Sequence, residues 1–379
     1  MADERYFFHP APKQFEPFDV SGSFLFTSAE ESEHYFQESV RMVEETPVNV
    51  ENNGEDVPFD IVDARGEKIR FRIRTFKTGE PREPVEGHLR QKILILSPHC
   101  DDEVIGTGVL ATVAALQGDH VRALQFTCGS GGRADHGYDE DMTRIVRLRE
   151  SIESARYIGI ESIDVLIGPD GKLGLPEWFW HHSALLPQIG VAVGRIYDSD
   201  SIVSPHSNAR VDSHPDHHAA SVVADFASGW GRNRAFHPTH APLHYRPRDN
   251  AVTTMKYAVW PGESNPRPNF GIPYEPFTGP LARIVAKAIS FHRTQSVQNG
   301  LYPALEAACV QDPRLATLAT LFSNNYALFK FLKESSYGVA TDVNNPSFRA
   351  VEMYETAGPM PDIHVSEEVL RRAAQVLTV

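Results

Sequence analysis

Apolar and polar positions follow two rhythms along the chain, and the change between them divides it. In "KIRFRIRTF", residues 68–76, the apolar Ile69, Phe71 and Ile73 alternate with Arg70, Arg72 and Arg74, the period of a half-buried strand. The preceding "PFDIVDARGEK" supplies a partner strand and a turn at Gly66, so a hairpin is expected there, with the arginine row as its solvated face. The polar "EETPVNVENNGED" before it reads as a loop, and "KTGEPREPVEGH" after it as a linker.

From about residue 91 short apolar runs alternate with helical stretches. "KILILS", "HVRALQFT", "SIDVLIG" and "SIVSP" read as four strands. Between them, "EVIGTGVLATVAALQ" predicts a helix ending before Gly118, and "DMTRIVRLRESIESARYIGI" a helix ending at Gly159. "HSALLPQIGVAVGRIYDSD" predicts a third helix. This order predicts an α/β fold, a Rossmann-like, mostly parallel, doubly wound sheet flanked by helices. Sites in such sheets gather at the carboxyl ends of the strands. Beyond residue 230, "RAFHPTHAPLHYRP" and "MKYAVWP" are candidate strands, and "GPLARIVAKAISFHRTQ" and "PRLATLATLFSNNYALFKFLKESS" are helical. The last forty residues read as proline-rich loop followed by a helix, "SEEVLRRAAQVL". The expected organisation is an N-terminal extension with a β-hairpin (1–88), a strand-and-helix core (89–297) and a mostly helical C-terminal extension (298–379).

Composition narrows the partners. Acidic residues outnumber basic ones 50 to 36, for a net charge of −14. Such a surface repels nucleic acid and anionic lipid, so neither is an expected partner. Cys100, Cys128 and Cys309 form no disulfide pattern, and the N-terminus lacks a signal-peptide profile, which predicts a cytoplasmic protein. A homo-oligomer is compatible with all of this.

Two short motifs carry chemistry. The first, His99-Cys100-Asp101-Asp102, follows the strand "KILILS"; the second, His214-Pro215-Asp216-His217, lies in "RVDSHPDHHAA" after "SIVSP". Imidazole and carboxylate are ligands of Zn²⁺ and related divalent ions, and catalytic zinc keeps three protein ligands and an open position. One loop would direct His99 and Asp102 to a common point, with His217 completing the set. Asp101 would then stand beside the attacking water as general base. His214, kept cationic and oriented by Asp216, would hold an oxyanion. The constellation suits amide hydrolysis. Each motif alone has a bland reading as loop hydrogen bonds or a helix cap; both at strand ends of one sheet favour a metal.

At these residues the chain resembles the LmbE-like, or PIG-L, family of zinc-dependent N-deacetylases. The family's His-Pro-Asp-Asp-Glu appears as His99-Cys100-Asp101-Asp102-Glu103, and its His-Pro-Asp-His is intact at 214–217. "TCGSGG", Arg147 with Glu150, Ile158 and Gly159, "GPDGKLG" and "KAISFHRTQ" extend the similarity over about residues 91–297. The resemblance implies zinc, or another divalent transition metal, on His99, Asp102 and His217. It also implies Asp101 as base, His214 with Asp216 at the oxyanion, and a small N-acylated substrate, most often N-acetylated, that is amino-sugar-like or a natural-product intermediate. Arg147, Asp170 and His206 are the implied or candidate substrate contacts, although each also has an ordinary structural reading. Cys100 departs from the family proline, and the extensions at both ends suit a specialised substrate. His136, Arg133 and His292 remain candidates for the site's rim, whereas His237, His240 and His244 lack ligand spacing.

Three other readings compete. An amidase of thiol conjugates would keep the chemistry and change the substrate. A non-catalytic binding protein on the same fold would need neither Asp101 nor His214. A dinucleotide oxidoreductase fails on spacing, since "GSGG" is not G-x-G-x-x-G at a strand-to-helix turn.

Overall fold

The computed structural model describes residues 28–48, 56–63, 65–129, 138–176, 185–207, 212, 214–229, 252–257, 269–274, 279–289, 291–296 and 350–378. The candidate strand at 234–247, the helical stretch at 313–336, and Arg133, His136, His237, His240 and His244 lie outside them.

The continuous apolar runs become central strands because both of their faces are covered. In β3 (Lys92–Ser97), Ile93 and Ile95 face one core, and Leu94 and Leu96 the other. The first core is closed by α3 (Gly108–Gln117), α4 (Glu140–Ile158) and α7 (Pro280–Ile289), the second by α5 (Leu186–Tyr197) and α6 (Pro215–Gly229). The remaining central strands are β4 (His120–Gln125), β5 (Ser162–Ile167), β6 (Ser201–Pro205) and β7 (Thr253–Tyr257). The five pair in parallel in the order β5-β4-β3-β6-β7. The order reverses between β3 and β6, so the loops leaving these two strands flank one crevice.

The sheet extends beyond this core at both margins. The hairpin of β1 (Val57–Val62) and β2 (Lys68–Lys77) forms as its alternation requires, and β2 pairs antiparallel with β5, Ile73 opposite Leu166. At the other margin β9 (Ala350–Ala357) pairs antiparallel with β7 and carries β8 (Phe270–Tyr274) outside it. One sheet therefore passes through all three segments that the sequence separates. The stretch 350–357, expected as loop, is a strand: its partner β7 lies about a hundred residues earlier, and local pattern does not report that pairing.

Two helices differ from expectation. Helix α1 (Ala29–Glu45) was not anticipated, although the Oγ of Ser28 caps it by accepting from the Glu31 N–H at 3.1 Å. It buries Tyr35, Ser39 and Val43, one turn apart, on the side facing α4. The helix expected over 103–117 is interrupted at Gly106, leaving the short α2 (Asp102–Ile105) ahead of α3. Helix α4 ends at Gly159 as predicted, in the left-handed conformation (φ 90°) that terminates helices. The "KAISFHRTQ" region bends after α7, so that His292 sits in a break before α8 (Arg293–Ser296). The final helix, α9 (Glu367–Val376), packs on α3 and α7. No helix among the described residues is long and apolar enough to cross a membrane.

Candidate metal centre

The loop leaving β3 turns tightly because Asp102 bonds back onto it. Asp102 Oδ2 accepts the His99 N–H at 3.0 Å and also lies 3.0 Å from His99 Nδ1. From the other loop, the first turn of α6 brings His217 Nε2 to 3.2 Å from the same oxygen. Ligands bound at about 2.1 Å around a tetrahedral ion stand roughly 3.3 Å apart, so these separations already suit one cation. His214 joins the group, since one nitrogen from each of His99, His214 and His217 lies within 4.8 Å of the others. The Asp102 oxygen sits closer to His99 and His217 than that span, which favours it as the third donor.

Two observations test the fit. His217 Nε2 is buried and meets the Asp102 oxygen at 3.2 Å without a well-aligned hydrogen bond, an arrangement that a cation between the two would satisfy. The electrostatics ask for positive charge as well. Burial opposes charge on both rings, yet Asp102 and Asp216 raise His99 to about 9, and Asp102 and Asp212 raise His217 to about 10. Burial likewise favours the neutral acid at Asp102, but His217 and His99 pull it well below the ordinary carboxylate range. A divalent cation supplies the same charge in exchange for two protons. The residues fit a metal.

Each imidazole has a carboxylate on its far nitrogen. Asp212 Oδ2 lies 2.9 Å from His217 Nδ1, and Asp216 Oδ2 lies 3.5 Å from His99 Nε2. Such partners fix the ring and raise its basicity as a ligand. Sequence reasoning missed Asp212; its signal was an acidic residue two positions ahead of His214, within the same loop. It also passed over Tyr257, buried beneath the centre with its hydroxyl donating to the Leu96 carbonyl at 3.1 Å.

His214 departs from the cationic role expected of it. Burial first, then the charged rings of His99 and His217, push its pKa down to about 3 despite Asp216. Its Nδ1 accepts the Asp216 backbone N–H at 3.2 Å, which leaves Nε2 to carry the ring proton. A neutral Nε2–H still donates to an oxyanion, and a nearby cation would hold the ring neutral too.

With this geometry in place, comparison with known proteins bears on family. Residues 94–227 match the family model described as PIG-L, GlcNAc-PI de-N-acetylase. That segment is a PIG-L domain. The chain is also 25% identical over 189 residues to 1D-myo-inositol 2-acetamido-2-deoxy-alpha-D-glucopyranoside deacetylase 1 of Catenulispora acidiphila. That match spans 45% of this chain and 58% of the relative's length. Among solved structures, the N,N'-diacetylchitobiose deacetylase of Pyrococcus horikoshii aligns at a TM-score of 0.45 and 21% identity, over 70% of this chain and 84% of its own. A deacetylase of the teicoplanin biosynthetic pathway aligns at a TM-score of 0.45 and 16% identity, over 71% and 98%.

The PIG-L domain places the other candidates unevenly. Asp101 lies against Arg147, with Nη2 3.3 Å from Oδ2. Burial raises the Asp101 pKa above its ordinary value, with Arg147 opposing. Asp170 is exposed and accepts the Lys172 N–H at 3.2 Å, the work of a turn former. His206 Nε2 pairs with Glu355 of β9 at 3.1 Å. Cys100 is buried, and its thiol donates to Gln125 Oε1 at 3.3 Å and to the Thr127 carbonyl, facing the end of β4.

Proposed function

We propose that the protein is a metal-dependent N-deacetylase that removes the acetyl group from a small amino-sugar-like or natural-product substrate. The observation that carries this reading is the convergence of His99, Asp102 and His217 on one point, with Asp101 near enough to interact electrostatically with all three. Zinc or a similar divalent ion, held by those three, would supply an acidified water and polarise the acyl carbonyl.

The protein's own groups account for the proton transfers. Asp101, raised by burial, takes a proton from the attacking water and returns it to the leaving amine. His214 donates its Nε2–H to the oxygen that gains charge as the carbonyl carbon becomes tetrahedral. Asp212 and Asp216 hold His217 and His99 in the tautomers that leave a lone pair toward the centre. The printed names of the similar proteins, an inositol-linked acetamido-sugar deacetylase and a diacetylchitobiose deacetylase, support an acetylated amino sugar as the first substrate class to assay.

The test is release of acetate and free amine from a panel of an N-acetylglucosaminyl inositol, diacetylchitobiose and an N-acyl thiol conjugate. The zinc-loaded protein should turn over an acetamido sugar. Asp101→Ala should keep near-normal metal content while turnover falls by about 10²- to 10⁴-fold. Cleavage of the thiol conjugate alone would move the substrate class, and cleavage of none above the metal-free control would overturn the hydrolase reading.

A further inference from the structure

Arg147 is read most simply as a substrate contact, but its surroundings give it another partner. It projects from α4 into the interior and is 4% exposed, so little of it is left for a ligand to touch. Nη1 donates to the Gly129 carbonyl at 2.9 Å, and Nη2 lies 3.3 Å from Asp101 Oδ2. The guanidinium fills the place where a side chain at residue 129 would stand. A Cβ on Gly129 would fall 1.6 Å from Nη1 and 2.2 Å from Cζ, and its φ of +61° also disfavours a side chain. The bare residue after β4 is thus the seat of this fork.

The alternative acidic partner, one turn along α4, is already engaged. Glu150 Oε1 accepts the Tyr35 hydroxyl at 3.1 Å and the Thr294 N–H at 2.9 Å, and Oε2 accepts the Thr294 hydroxyl at 2.6 Å. His292, in the break between α7 and α8, is held neutral first by burial and then by Arg147, and it adds no competing negative charge. Asp101 is accordingly the carboxylate the fork addresses.

We infer that Arg147 is a positioning residue for Asp101: it holds Oδ2, with Gly129 as its seat, so that Oδ1 is left to face the attacking water. A carboxylate on a loop can rotate about its Cβ–Cγ bond, and a guanidinium anchored on backbone removes that freedom. The role rests on the deacetylase reading above. The contact it depends on does not, and each can fail separately.

The experiment uses Arg147→Lys, Arg147→Ala and Gly129→Ala in the full chain. In the zinc-loaded proteins, acting on the acetamido sugar the wild type cleaves, kcat should fall about 100-fold while KM and metal content hold. A rise in KM at constant kcat would return Arg147 to the substrate and overturn the inference. The second arm needs no turnover. In metal-free protein, a thermal double-mutant cycle of Arg147→Ala with Asp101→Asn should show the double variant losing less than the sum of the two single losses. Strict additivity would show that the fork does not hold Asp101. Non-additivity in a protein that cleaves no acetamide would keep the contact and remove the deacetylase role.

Discussion

At the scale of single residues, the two motifs stood out as a candidate centre because histidine and aspartate crowd together there for no packing reason. What they did not announce was who stands behind whom. Asp216, expected to serve His214, also presents a carboxylate oxygen to His99, while Asp212, unremarked in the sequence, backs His217. Such pairings depend on side-chain directions that only the assembled loops define. Asp212→Asn should weaken zinc affinity about 10- to 100-fold, read by competition with a chromophoric chelator. Unchanged affinity would show that His217 needs no orienting carboxylate. The replacement of the family proline by Cys100 also has a local account: its thiol donates toward β4, a bond proline could not make.

Among the elements, the central strands were legible because they are apolar on both faces, and α4 because it closes on Gly159. Strand β9 and helix α1 were not. One takes its conformation from a distant partner, and the other has a cap and a buried stripe within a region dominated by charge. Helix α1 meets α4 and α8 at Glu150, which binds Tyr35 from one and Thr294 from the other. Burial raises this acid to about 7, with the Thr294 bonds, Arg147 and Tyr35 opposing. A folded-state pKa above the ordinary 4.5 means the neutral acid favours folding: the contribution is full below 4.5 and lost as pH climbs through about 7. Its size is on the order of 3 kcal/mol. The contribution of Glu150 should therefore decline from about pH 5 to 8, and Glu150→Gln should remove that component from the pH profile of the unfolding free energy. An unchanged slope in urea titrations across this window would show that Glu150 does not titrate there. Glu103, also raised to about 7 by burial, and above pH 6.5 the raised His99 and His217 would share the slope that remains.

For the whole molecule, fold class followed from the alternation of strands and helices, and the acidic surface argued against polyanion partners. The continuity of one sheet across the expected segment boundaries was invisible, since every joining pair is remote in sequence. A metal that binds only the folded chain stabilises it by about 2.7 kcal/mol at a hundred times its dissociation constant. Chelation of the loaded protein should lower the melting temperature by several degrees, and His217→Ala should abolish that response. A midpoint indifferent to chelator in the wild type would argue against a resident ion.

The position of β9 has a consequence for synthesis. Every proposed ligand has left the ribosome once residue 217 is out, yet β7 waits for residues 350–357 before its open side is paired. During that interval the nascent chain carries a complete centre beside an unprotected backbone ladder, which invites self-association. A stop before β9 would leave that vulnerability permanent, so such truncations should accumulate as aggregates rather than as a smaller working protein.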